Sequence, residues 1–142
     1  MDMYIEINEN SRKWLVQDLT YLLIRRFSSK EEKRRIVCAI YNPSEHNNTS
    51  LLGIDNKVNY LYSRDHHLPE DVVYGLYVYL SSSKVDAFYR IVSGHTQVNS
   101  GDIRALPFPS IEALQNVGAT FSKSFSCQQD SIDRAASVFF SC

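Results

Sequence analysis

Five glycines in 142 residues are too few and too scattered to build a loop whose backbone cradles a phosphate or a cofactor. No GxGxxG, GxxxxGK[ST] or GxSxG occurs, so dinucleotide binding, P-loop chemistry and the nucleophile elbow have no footing. Cysteine is scarce as well. Cys38, Cys127 and Cys142 form an odd set without CxxC spacing, which argues against a secreted disulfide framework or a zinc knuckle and predicts free thiols. No apolar run reaches the roughly 18 to 20 residues that a bilayer span needs. The opening MDMYIEINENSRK lacks the basic head and apolar centre of a signal peptide. A soluble, cytoplasmic chain without a membrane partner is therefore expected. The net charge of −1 excludes wholesale electrostatic adhesion to nucleic acid, but a balanced total leaves room for a local patch.

The 44% hydrophobic and 22% charged residues lie inside the globular range, and the length suits a single domain, 1–142, with one core. Short runs rich in β-branched and aromatic residues fill the first half: YIEI (4–7), YLLIRRF (21–27), RIVCAIY (35–41) and LLGIDNKVNYLYS (51–63), each read as strand. Polar turns such as NPSEHNNTS separate them. The pair flanking SSKEEKR is predicted to form an antiparallel hairpin. The second half is helical. Pro69 suits a first helical position, with Glu70 and Asp71 at the positive end of the dipole and Val72, Val73, Leu76, Tyr77 and Leu80 inward. Ser83 and Asp86 have capping-box spacing ahead of a helix buried through Val85, Phe88, Tyr89 and Val92 and stopped by Gly94. Ser110 caps a short helix through Ile111, Leu114 and Val117, ended by Gly118, and Ile132, Ala135, Ala136 and Phe139 mark a last one. The fold class is α+β, with antiparallel strands first and helices after. The terminal VFF would be exposed on such a helix, which points to a longer natural polypeptide or a docked partner.

The densest charge lies in RRFSSKEEKRR: Arg25, Arg26, Lys30, Lys33, Arg34 and Arg35 against Glu31 and Glu32. On a hairpin, Arg25 and Arg26 would approach Arg34 and Arg35 across the strands, a repulsion that an external anion such as a phosphodiester would relieve; a solvated turn neutralised by its own glutamates is the plain alternative. In SGHTQVNSGDIRALPFPS (93–110), Gln97 and Asn99 carry amides able to bind adenine edges bidentately, while His95 and Thr96 can reach phosphate or base. If the segment is extended, His95, Gln97 and Asn99 share one face. Equally, such residues after a glycine satisfy local backbone groups, and Asp102 and Arg104 can be a local pair. Asp65, His66 and His67 are adjacent rather than at ligand spacing, so no metal site is predicted.

Two stretches, YLLIRRFSSKEEKRRIVCAIY and GLYVYLSSSKVDAFYRIVSGHTQVNSGDIRALPFPS, resemble the C-terminal portion of DNA adenine methyltransferases of type II restriction and modification systems, the group with a TaqI-like specificity domain. The first carries the arginine, phenylalanine, Ser-Ser-Lys-Glu-Glu and arginine pattern at Arg26 to Arg35. The second carries the Asp and Phe-x-Arg analogue at Asp86 to Arg90, Gly-His-Thr-Gln-Val-Asn at 94–99, then Asp102, Arg104 and Pro109. Asp55, Asn56 and Asn59 fill a further family segment. Type I specificity subunits show a similar polar, apolar, proline ending. The pattern departs from the family where chemistry is done: the glycine-bearing S-adenosylmethionine loop and the Asn-Pro-Pro-aromatic motif are missing, and Asn42-Pro43 runs into Ser44-Glu45. The resemblance thus implies a target-recognition domain, a C-terminal fragment of a longer enzyme, that holds double-stranded DNA for a separate catalytic domain. No catalytic residue and no cofactor is expected in the chain itself, with S-adenosylmethionine belonging to the parent enzyme. The loop 42–50 and segment 55–68 would read bases, and the arginine-rich hairpin would contact phosphates. Two readings compete: a small magnesium nuclease using Asp18, Glu31 and Lys33, and a protein-interaction domain docking through its C-terminal aromatics.

Overall fold

The computed structural model describes residues 8–43, 51–63 and 67–141. Alternation writes its main sheet: Leu22 and Ile24 of β2 (Tyr21–Arg25) are wholly buried, while Tyr21, Leu23 and Arg25 take the other face. β2 is the centre strand, antiparallel to β3 (Cys38–Tyr41) and to β5 (Val58–Leu61). A separate two-stranded ribbon pairs β1 (Leu15–Gln17) with β4 (Leu51–Gly53), after a single-turn helix α1 (Glu9–Arg12) capped by Asn8. The run 51–63 is thus two strands, broken where Asp55 accepts the Lys57 N–H at 2.8 Å and its carbonyl accepts that of Val58 at 3.0 Å, a local turn that competes with the ladder. The predicted strand at 4–7 lies outside the described residues.

The hairpin forms, but in a different register from the one that would oppose arginines. Arg25 N–H donates to the Val37 carbonyl at 2.9 Å, so Val37 faces Arg25, while Arg34 and Arg35 belong to the long connection before β3. That connection keeps two links to β2, through the Arg25 N–H and the Arg25 side chain, but the Arg35 N–H goes to Asp86 rather than to a neighbouring strand, so β3 starts only at Cys38.

Central to the core is α2 (Glu70–Ser81), buried over nearly its whole circumference because the main sheet packs on one side and α5 (Ile111–Phe121) and α6 (Gln129–Phe140) pack on others. Pro69 is its N-cap rather than its first residue, so the helix starts one residue later than predicted. Gly118 does not end α5: a methyl group there would overlap the Asp71 carbonyl, and one at Gly75 the Leu114 carbonyl. The two glycines let the backbones of α2 and α5 meet. α3 (Ser83–Val92) is capped by Ser82, whose Oγ accepts the Val85 N–H at 3.3 Å. The predicted box on Ser83 does not form, because the Asp86 carboxylate turns into the fold. Val85 and Tyr89 are buried, but Phe88 and Val92 are exposed, so the inward face of α3 is narrower than its apolar pattern suggested. α4 (Ser100–Arg104) was not apparent in the sequence. At the C-terminal end, Phe139 and Phe140 pack on Tyr79 with ring centroids 5.8 and 6.2 Å away. Those aromatics are fastened to the chain's own core. Among the described residues no helix is long and apolar enough to cross a membrane.

Candidate nucleic-acid interface

The two polar stretches singled out by sequence lie side by side. Beyond β2 the chain continues past Arg25, and residues 96–98 add to it as a short antiparallel bridge: Val98 N–H donates to the Arg26 carbonyl at 2.6 Å, Ser28 N–H to the Thr96 carbonyl at 3.3 Å, and Phe27 faces Gln97. Asn59 on β5 fixes the same segment by donating its amide to the Val98 carbonyl at 2.6 Å. Residues 96–98 therefore run antiparallel to 26–28, and Asn99 then caps α4, its N–H held by Asp102 Oδ2 at 3.2 Å. His95 and Thr96 are exposed and Gln97 half-buried.

Helix α3 sets the arginine-rich connection. Asp86 and Arg90, one turn apart and joined Oδ2 to Nε at 2.7 Å, present opposite hydrogen-bonding characters to it. Asp86 Oδ1 accepts the Arg35 N–H at 2.8 Å. Arg90 donates to the Lys30 and Glu32 carbonyls, both at 2.6 Å. Backbone groups that would otherwise need water are thereby satisfied by charged side chains, and charge-assisted bonds are about twice as strong as neutral ones.

The six cations consequently have different fates. Arg25 is exposed and pairs with Glu32. Arg26 is half-buried, with Nη1 on the Asn56 carbonyl at 3.1 Å, and Lys30 and Lys33 are exposed. Arg34 reaches away from the others: Nε donates to Gln129 at 3.0 Å and Nη2 to Ser83 Oγ at 2.7 Å, with Asp86 at 3.6 Å. It ties the connection to α3 and α6. Arg35 is 1% exposed, with Nε on Ser28 Oγ at 3.0 Å, Nη2 on the His95 carbonyl and its guanidinium 5.5 Å from the Tyr89 ring. Burial pushes the Tyr89 phenol up, keeping that ring neutral. The structure thus gathers Arg25, Arg26, Lys30, Arg35, His95, Thr96 and Gln97 around one end of the sheet, sends Arg34 toward α6 and gives Asn99 to a helix cap. The amides of Gln97 and Asn99 do not form a simple alternating row.

A second polar knot closes α3 against α6. Ser83 donates its N–H and hydroxyl to Asp133 at 2.8 and 2.6 Å. Burial pushes the Asp133 carboxyl up, but Ser83, Gln129 and Arg34 together hold it below the ordinary range. The acidic residues weighed as magnesium ligands are not brought together. Asp18 precedes β2 and accepts the Tyr41 hydroxyl, whereas Glu31 and Lys33 follow the other end of that strand, which spans roughly 13 Å at 3.3 Å per residue. His67, the described member of its cluster, accepts the Thr20 N–H at 3.3 Å; Asp65 and His66, like loop residues 44–50, lie outside the described residues.

Two curated proteins align with 111 residues, 78% of this chain: Type II methyltransferase M.BsuBI of Bacillus subtilis at 45% identity and Type II methyltransferase M.PstI of Providencia stuartii at 41%. The chain is homologous to part of the type II methyltransferases. It spans about a fifth of the length of these relatives, 22% of each. No family model and no solved structure matches it.

Whether a methyltransferase segment of this kind has room for S-adenosylmethionine is decided by its glycines. Gly75 and Gly118 are locked in the α2–α5 contact, Gly94 follows α3, Gly101 lies inside α4 and Gly53 ends β4. Among the described residues none forms a glycine turn from strand into helix, so these residues do not fit the cofactor. Sequence reasoning placed Asp86 and Arg90 in a motif without finding their task, and it missed Ser93, because a serine after a helix reads as an ordinary cap.

Proposed function

We propose that this chain is the target-recognition module of a type II restriction and modification DNA adenine-N6 methyltransferase, working in the cytoplasm. It would hold double-stranded DNA so that an adenine flips into a separate catalytic domain, where S-adenosylmethionine supplies the methyl group. One observation carries the reading: a chain 45% identical over 111 residues to Type II methyltransferase M.BsuBI folds so that its cationic connection and its His-Thr-Gln segment meet at one end of a sheet. Cations there would supply affinity and register through phosphates, and nearby polar side chains would read base edges.

In this assignment Arg25, Arg26, Lys30 and Lys33 are the outward phosphate contacts, and His95, Thr96 and Gln97 line the adjoining surface. Arg34 and Asn99 hold the scaffold. Arg35, with its guanidinium inside the fold, lines the cleft beside it. The module transfers no methyl group by itself.

Fluorescence anisotropy of labelled duplex DNA titrated with the chain at several salt concentrations tests the proposal. Binding that weakens with salt, at a slope of roughly 0.9 per neutralised phosphate, is expected. No binding at low salt would refute it, and cleavage of the duplex on adding magnesium would favour a nuclease instead.

A further inference from the structure

A cleft of about 200 Å3 opens between the arginine-rich connection and the end of α3, lined by Lys30, Arg35, Arg90, Ile91, Ser93 and Gly94. One of these groups is a buried cation outside any ion pair among the described residues, and another is a buried hydroxyl without a hydrogen-bond partner there. Arg35 is 1% exposed, yet the ion pairs among the described residues join Arg25 to Glu32 and Arg34 and Arg90 to Asp86, none involving Arg35. Of the five N–H groups that a guanidinium carries, those on Nε and Nη2 are used by Ser28 and the His95 carbonyl. Nη1 donates to nothing among the described residues. Ser93 is 4% exposed, and its Oγ has no hydrogen-bond partner there; the Tyr89 hydroxyl is nearby but outside hydrogen-bonding geometry. A buried cation without a counter-charge and a buried hydroxyl without a partner are each costly, and both line one opening.

We propose that this cleft binds a phosphoryl group, with Lys30, Arg35 and Ser93 as its donors and Arg90 as a third cation that positions the Lys30 backbone. A tetrahedral anion offers several oxygens in different directions and can take all three donors, which a planar carboxylate does less well. The mouth is open: a side chain at Gly94 would meet nothing, and Ile91, 83% exposed, offers an aliphatic flank to a sugar. That the phosphate is one of a DNA backbone rests on the function proposed above; the chemistry of the cleft does not.

The test is a titration of the 142-residue chain with inorganic phosphate at constant ionic strength, followed by amide chemical shifts, alongside anisotropy with duplex DNA. Each is repeated with Lys30→Gln and Ser93→Ala, which leave every hydrogen bond that holds the connection in place. Saturable shifts at Arg35, Ser93 and Gly94, with affinity about tenfold weaker in either variant, are expected. DNA affinity falling in parallel assigns the phosphate to the backbone, including where the free ion binds too weakly to detect. Phosphate binding that the variants weaken, in a chain that ignores DNA, keeps the site and removes the recognition role. No saturable phosphate shift together with unchanged DNA affinity in both variants overturns the site while leaving DNA recognition standing.

Discussion

Replacing Asp86 by alanine should destabilise the chain more than any substitution among its exposed cations. The carboxylate is buried, accepts the Arg35 N–H at 2.8 Å and Arg90 Nε at 2.7 Å, and lies 3.6 Å from Arg34. Truncation leaves one buried amide without an acceptor and two guanidinium groups without their counter-charge, and breaking a buried pair in this way costs about 3 to 5 kcal/mol. Against a total stability on the order of 5 to 15 kcal/mol, that is a large fraction. At roughly 3 °C per kcal/mol for a chain of this size, the melting temperature should fall by about 10 °C. Equilibrium urea unfolding measures the loss, with an unchanged m-value showing that the denatured state is not responsible. In a double-mutant cycle, Arg90→Ala should cost less when Asp86 is already gone, with a coupling of about 1 to 3 kcal/mol. A loss below about 1 kcal/mol, or additive effects, would refute the idea that α3 grips the connection through this pair.

Gly118→Ala should cost about 3 kcal/mol in the same assay, since the added methyl meets the Asp71 carbonyl rather than a movable side chain; wild-type stability would mean that α2 and α5 are farther apart. Ser93→Ala should leave the free chain as stable as before or up to about 1 kcal/mol more so, because it removes a buried hydroxyl with no partner. Burial pushes the Cys38 thiol up to about 12. With Cys127 and Cys142 changed to serine, Cys38 should resist a thiol reagent at pH 8 until the protein unfolds. Asp133 is held below the ordinary aspartate range, so its contribution is complete above that range and is lost as pH falls through its lower native value. Asp133→Asn should therefore flatten the acid limb of the stability curve below about pH 4.

The fold was legible wherever one face of an element is buried. Leu22 and Ile24 on β2, Val72 to Leu80 on α2 and Ile132 with Ala136 on α6 repeat at the spacing their elements require, and the α+β order followed from them. Spacing was silent where a tertiary partner decides. Gly118 has the look of a helix stop and is instead the point at which two backbones touch. Asp86 has the spacing of a cap and instead serves Arg35. The cationic cluster was visible as composition, but composition does not distinguish Lys30, which faces solvent, from Arg34, which reaches 95 residues along the chain to Gln129. That His95 to Gln97 would lie beside Phe27 and Ser28 required the long-range pairing itself.

Selection from a random duplex pool asks most directly whether the chain reads DNA sequence. After several rounds of binding and recovery, one short sequence should dominate and bind at least about tenfold tighter than the starting pool, the discrimination that one good bidentate base contact provides. A pool that stays random while the folded chain still retains DNA would contradict a role in target recognition.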